Sequence, residues 1–254
     1  ATYIDGGSGV VMATPSYLVA LVRVYAVTYK DVQKLSAQKK SCFVHLAKQG
    51  TTILATFYGT QKPPISFDSE IESAVDIIRK VLELELARGL ITHEGLIVLD
   101  GDLEAEEPME AKAFELLHET AKNANAQIVA LSKTNRFISK GEATVALLMR
   151  SGPREPWLYR HNQKTSFVKL NTRSKYVFRL DSISNHRDIA ASLLAQSADP
   201  VFLGYPYALV EADKRARVTF QEVRQAKLLI DARVKKSSDL ALDAHSVLDR
   251  LNQG

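Results

Sequence analysis

The chain is 254 residues long, 46% hydrophobic and 24% charged, with a formal net charge of +4. That composition excludes disorder as the dominant state and leaves room for a sizeable core. The single cysteine, Cys42, excludes an intramolecular disulfide and any cysteine-based zinc site, and reads as a small buried apolar residue. No apolar run approaches the roughly 20 residues that span a bilayer, so a soluble chain without membrane partners is expected.

The chain enters a strand-like run at once, Thr2-Tyr3-Ile4-Asp5, which suggests an N-terminal segment that is not shown. Gly6-Gly7-Ser8-Gly9 and Pro15 punctuate the way to a β-branched and aromatic run from Tyr17 to Tyr29. Cys42 to Ala47 and Thr51 to Tyr58 read as a hairpin joined through Lys48-Gln49-Gly50. Pro63-Pro64 closes this strand-rich part, 1–66. Asp68 is placed to cap a helix whose face runs through Ile71, Val75, Ile78 and Leu82 and which Gly89 ends.

Leu96 to Asp100, Pro108 to about Asn123, and Gln127 to Ser132 then read as strand, helix, strand, the spacing of a crossover between parallel strands. Residues 142–150, 166–170 and 176–181 read as further strands in an α/β part, 67–185. From about His186 onward helices are expected, separated by Pro200 and Pro206. The expectation is one α/β domain over residues 1–254, a mixed sheet flanked by helices, with a mainly helical portion at 186–254.

Acids at strand ends carry the chemistry, because phosphodiester hydrolysis on hard cations about 4 Å apart needs several converging carboxylates. Asp5 ends the first strand before Gly6-Gly7, Asp100 ends a buried-looking strand before Gly101, and Asp181 ends a third. The intervening helix adds an acid. With Ile78 at zero, Leu82 falls at about 40°, Glu85 at about −20° and Glu83 at about 140°. This places Glu85 on the apolar face, where a carboxylate must be paired or metal-bound, and Glu83 toward solvent.

The blocks Tyr3-Ile4-Asp5-Gly6-Gly7-Ser8, Leu99-Asp100-Gly101-Asp102-Leu103, Leu131-Ser132-Lys133-Thr134, Phe178-Arg179-Leu180-Asp181 and Gly204 to Asp213 resemble, in order and spacing, the signature blocks of the NurA nuclease family. The resemblance implies an RNase H-like mixed sheet and a nuclease of DNA end resection, a 5′–3′ exonuclease and single-strand endonuclease. It also implies a homodimer working with a HerA-type hexameric ATPase translocase in the cytoplasm, at the nucleoid. Carried over by position, Asp5, Asp100 and either Glu83 or Glu85 would hold two Mn²⁺ or Mg²⁺ ions. Family spacing favours Glu83, the helical face Glu85, and both stay open. Tyr205 and Asp213 would complete the site, Asp213 standing where the family often has His.

Lys133, just past a strand end, is placed to stabilise charge on a scissile phosphate. The N-terminal 150 residues carry 16 Lys and Arg against 18 Asp and Glu, and the remainder 17 against 11. The basic surplus therefore sits late in the chain. Lys214, Arg215 and Arg217, with Arg224 and Lys227, form the main phosphate-contact candidate, joined by Lys133 and Arg136. Phe137, Trp157 and Tyr159 lie among Arg136, Arg154 and Arg160, a pattern suited to base stacking. Two other readings compete. Asp100-Gly101-Asp102 also resembles the nucleophile strand of haloacid dehalogenase-type phosphatases, and a non-catalytic DNA-binding clamp would share the scaffold.

Overall fold

A computed structural model describes residues 1–133, 138–139 and 142–232, with the side chains of 138, 139 and 142–145 excepted. In chain order the elements are β1 (Thr2–Ala13), β2 (Tyr17–Lys30), β3 (Gln33–Gln49), β4 (Thr52–Tyr58), β5 (Ile65–Asp68), α1 (Ile71–Gly89), β6 (Leu96–Asp100), α2 (Pro108–Asn123) and β7 (Gln127–Ser132). There follow β8 (Ile138–Ser139), β9 (Glu142–Ala143), α3 (Thr144–Ser151), β10 (Trp157–Arg160), β11 (Thr165–Lys169), β12 (Phe178–Ser182), α4 (His186–Leu194), a 3₁₀ turn (Pro200–Phe202) and α5 (Tyr207–Ala216). A last helix, α6, is described over 220–232.

The chain divides into two compact units. The first comprises Ala1–Ser8, Val22–Ser41 and Glu72–Arg217; the second comprises Gly9–Leu21, Cys42–Ile71 and the described residues from Val218 onward. Strands β1, β2 and β3 each contribute one stretch to each unit. In the first, the sheet order is β10-β11-β12-β7-β6-β1-β2-β3. There β6 runs parallel to both β1 and β7, and β12 runs antiparallel to β7. In the second, β4 pairs antiparallel with β3 and β5 antiparallel with β4. No described helix is long and apolar enough to cross a membrane.

The sheet of the first unit is buried on both faces, which is why its central strands are continuous apolar runs. Successive side chains point to opposite faces. Tyr3, Val98, Val129 and Leu131 therefore pack with Ile189 and Leu193 of α4 and Leu209 and Ala212 of α5. Ile4, Ile97, Leu99, Ile128 and Ala130 pack with Leu84, Leu86 and Ala87 of α1 and Phe114 and Leu117 of α2. Two buried layers on one strand set fix the face to which every residue of β1, β6 and β7 points.

Several elements differ from expectation. The first strand continues through its glycines to Ala13, because these glycines serve close approach and not a turn. A Cβ on Gly6 would lie 2.3 Å from Oε1 of Glu83, and one on Gly7 2.5 Å from the carbonyl oxygen of Ala216. Strand β3 starts at Gln33, well before Cys42, over a polar stretch with no apolar alternation to reveal it. Pro63-Pro64 does not end the strands, since β5 follows. Asp68 is no helix cap: it ends β5 and accepts a hydrogen bond from the Thr52 hydroxyl at 2.9 Å. Residues 144–151 form α3 where a strand was expected, because only Thr144 and Val145 are β-branched and Ala146-Leu147-Leu148-Met149-Arg150 are strong helix formers. The apolar residues from Val234 to Leu251 lie outside the described residues.

Candidate active site

Strands β1 and β6 are parallel neighbours with Ile4 opposite Leu99, and continuing that register one step sets Asp5, which lies within β1 and does not end it, beside Asp100 at the carboxyl end of β6. Such ends are where open parallel sheets take ligands. By alternation both acids share the face of Tyr3 and Val98, the face that α5 covers. The bare Gly7 backbone lets the last turn of α5 approach β1, and Asp213, three residues before Ala216, reaches the same point. One carboxylate oxygen from each of Asp5, Asp100 and Asp213 lies within 4.8 Å of the others, with Asp5 buried and the other two half-buried.

Each acid is held. The Asp5 carboxylate accepts the Gly6 N–H at 2.7 Å. Oδ1 of Asp100 lies 2.9 Å from the Tyr205 hydroxyl, whose single proton is shared with the Leu131 carbonyl oxygen at 3.1 Å. Its Oδ2 accepts from Lys133 Nζ at 2.7 Å. Lys133 also lies 3.8 Å from Asp213 and 5.0 Å from the centre of the Tyr205 ring. Asp213 is further paired with Arg217, one turn on, at 3.1 Å. The positive φ of Gly101, 112°, lets the chain turn directly after Asp100.

Helix α1 brings a fourth acid from the opposite face of the sheet. Glu83 is buried, packs over the bare Gly6 backbone and is ion-paired with Arg79, one turn earlier. Glu85 is exposed, so its expected place on the apolar face does not hold. The reason is that the buried face of α1 rotates. Its first half buries Ile71, Ala74, Val75, Ile77 and Ile78, and its second half buries Val81, Glu83, Leu84, Leu86 and Ala87. On the angular scale used above, Leu84, Ala87 and Glu83 lie at about −120°, about 180° and about 140°. Reference angles taken from the first half therefore point the wrong way by residue 85. The signal that separates the two glutamates is the basic residue at i−4: Arg79 stands in that relation to Glu83 and faces it.

Electrostatics follow from crowding like charges in a buried place. Burial, reinforced by Asp100, Glu83 and Asp213, pushes the Asp5 carboxyl up to about 8. Burial also raises the Glu83 carboxyl above the ordinary range, against the pull of Arg79 and Lys80. Burial opposes the charge of Lys133, but the carboxylates of Asp100 and Asp213 hold its ammonium above its usual value. Burial and the Asp100 charge push the Tyr205 phenol far up, so it stays a donor.

Other expected residues lie elsewhere. Asp181 is on the opposite face from Asp100, where it binds Arg179 and accepts the Thr165 hydroxyl at 2.8 Å. Asp102 turns its carboxylate to the Glu104 N–H at 3.2 Å and does not join the cluster. Lys214, Arg215 and Arg217 are exposed at the end of α5, and Arg224 and Lys227 are exposed on α6. Trp157 and Tyr159 sit on β10, four places from β6 in the sheet. Arg136 and Phe137 lie outside the described residues. Reading the sequence alone missed Arg79, and also Lys80, whose Nζ donates to the Asp102 carbonyl at 3.0 Å and so ties α1 to the loop after Asp100.

Oxygen donors converging in this way suit a hard divalent cation. The raised Asp5 carboxyl is what an acid cluster shows when positive charge would relieve it.

No known protein family and no curated protein sequence matches the chain. Solved structures do. The chain is similar to the NurA nuclease from Sulfolobus solfataricus, at 16% identity and a TM-score of 0.61, over 93% of this chain and 84% of that one. It is also similar to the catalytic domain of human Endonuclease V, at 13% identity and a TM-score of 0.47, over 89% and 83% of the two chains. Endonuclease V from Ciona intestinalis, in complex with an inosine-containing DNA, gives 12% and 0.45 over 85% and 84%. The first of these likenesses establishes that the chain has the mixed α/β fold of the NurA nuclease.

Proposed function

We propose that this protein is a metal-dependent DNA nuclease whose reacting centre is built from Asp5, Glu83, Asp100 and Asp213. The observation that carries the reading is the meeting of three carboxylates within 4.8 Å of one another, two from adjacent parallel strands and one from α5, on the fold of a nuclease. Asp5, Asp100 and Asp213 would hold Mn²⁺ or Mg²⁺, and Glu83, packed over the Gly6 backbone next to Asp5, would serve a second ion. Bound there, such ions activate an attacking water and stabilise the leaving oxygen.

The chain's own residues supply the rest. Tyr205 fixes one oxygen of Asp100 and leaves the carboxylate one orientation, as outer partners of metal ligands do. Lys133, exposed beside Asp100, carries a fixed positive charge to where a scissile phosphate would gain negative charge. Lys214 and Arg215, exposed on the helix that carries Asp213, would neutralise backbone phosphates on either side of the cut. The finer reading, which rests on the signature blocks and the NurA likeness together, is a 5′–3′ exonuclease and single-strand endonuclease in end resection. It would act as a homodimer with a HerA-type translocase.

The test is cleavage of 5′- and 3′-end-labelled single- and double-stranded DNA with Mn²⁺, Mg²⁺ or EDTA, comparing wild type with Asp100→Ala. Metal-dependent cleavage that vanishes in the variant is expected. Intact DNA with hydrolysis of a phosphomonoester would transfer the site to a phosphatase, and DNA binding without either activity would make the chain a clamp.

A further inference from the structure

The acid cluster comes with built-in positive charge, and one of its cations, Arg79, is paired with Glu83 on the same helix. On α1 the Arg79 guanidinium meets Oε1 of Glu83 through Nη1, and its Nε lies 3.5 Å from Oδ1 of Asp76, one turn in the other direction. The Glu83 side chain is 3% exposed and that of Arg79 27%, so the pair is largely shielded from water. On its other side the Glu83 carboxylate is confined by the backbone of Gly6, where even a methyl group would collide with Oε1. Glu83 and Arg79 both feel the charge of Asp5, next to Gly6, so the guanidinium belongs electrostatically to the cluster.

Two cations cannot share one carboxylate oxygen in a shielded place without repelling each other. Resting on the reading of this cluster as a divalent-cation site, we propose that Arg79 is the resident counter-ion of Glu83, that it competes with the metal for that carboxylate, and that it thereby sets the metal affinity of the site. In the metal-free protein the guanidinium compensates a buried negative charge that would otherwise neutralise or turn toward water. With a metal ion held beside Asp5, Glu83 would no longer need the guanidinium, and Arg79 would be free to turn toward Asp76, which already lies within its reach. Because such coupling is reciprocal, whatever binding energy Arg79 spends on Glu83 is subtracted from that of the metal. Lysine would keep the charge and lose the two-pronged hold on Asp76 and Glu83.

The experiment is thermal unfolding of the full chain in EDTA and across a MnCl₂ titration, for wild type, Arg79→Met, Arg79→Lys, Glu83→Gln and the Arg79→Met/Glu83→Gln double variant. Arg79→Met should melt lower than wild type in EDTA. It should bind Mn²⁺ roughly tenfold more tightly, within the usual range of site-to-site coupling, and so gain more in Tm at each Mn²⁺ concentration. Arg79→Lys, which keeps the charge but not the two-pronged hold, should give a Mn²⁺ response between those of wild type and Arg79→Met. In the Glu83→Gln background, Arg79→Met should add no further gain. An equal or smaller Mn²⁺ response in Arg79→Met, or the same extra gain without Glu83, overturns the proposal. If Arg79→Met does not fold in EDTA, the comparison moves to Mn²⁺ affinity by electron paramagnetic resonance for Arg79→Gln against Arg79→Lys, with the same criterion. Failure of the underlying metal-site reading looks different: wild type itself then shows no Mn²⁺ response at all.

Discussion

The Tyr205 hydroxyl lies 2.9 Å from Oδ1 of Asp100, although the two residues are 105 positions apart in the chain. The tyrosine is fully buried, and its ring is packed among Phe178 and Phe202, so the hydroxyl is aimed by the core and not by a flexible loop. Tyr205→Phe keeps that packing and removes one oxygen. It should cost about 1.5–3 kcal/mol of stability, the worth of a hydrogen bond to a charged group. Cleavage should fall about 10–100-fold, the usual effect of removing a ligand's outer partner, with DNA affinity unchanged. Steady-state kinetics beside a binding titration checks the split; an equal fall in both would assign Tyr205 to DNA binding.

Asp5→Asn should abolish cleavage and at the same time raise the melting temperature in EDTA. Burial among other acids forces the Asp5 carboxyl to take up a proton on folding near neutral pH, a cost that asparagine does not carry, and functional sites commonly hold such strain at a cost in stability. A variant that is both inactive and less stable would mean that Asp5 is a structural residue.

The pH dependence of the metal-free protein follows from the same crowding. The Asp5 carboxyl titrates at about 8 in the folded chain against an ordinary value of 3.8. The folded state therefore holds a proton that the unfolded chain has already released. This contribution to stability is complete below about pH 4 and declines as pH rises, until it is lost near pH 8. Glu83, raised in the same direction, adds to the slope. Melting temperatures in EDTA should fall between pH 5 and 8, and Asp5→Asn should flatten the fall. Mn²⁺ affinity should climb over the same window, because binding displaces the proton. Titration calorimetry in two buffers of different ionisation heat reads that release directly.

Gly6→Ala should be the most informative small change. Its methyl group would lie 2.3 Å from Oε1 of Glu83, and Glu83 is held by Arg79 and cannot yield without breaking that pair. Overpacking of this kind costs about 1–3 kcal/mol, so the variant should still fold while its cleavage drops at least as far as that of Glu83→Gln. A crystal structure or Mn²⁺ titration would show whether Glu83 has moved. Wild-type activity in Gly6→Ala would remove Glu83 from the reacting centre.

What the sequence alone determined was local. The apolar runs ending in Asp100 and Ser132, the helices over 71–89 and 108–123, and the placing of Asp5 and Asp100 on strands were legible because each is written in a few consecutive residues; that β1 runs on past Asp5 to Ala13 was not. The order of the signature blocks pointed correctly to the fold of the NurA nuclease. What needed the tertiary structure was every relation that depends on which surface a segment meets. The glycines after Asp5 read from sequence as the end of the strand, and only Glu83 on one side and the α5 backbone on the other show that they serve close approach within it. Periodicity put Glu85 on the buried face and Glu83 toward water, the reverse of what is found, because a helix that packs first on one surface and then on another has no single buried face. Arg79 was invisible for the same reason: a basic residue among charged neighbours looks solvated until the carboxylate it faces is seen to be buried. Sequence periodicity reports which residues avoid water, whereas a reacting centre is made of charged residues held out of water by the rest of the fold.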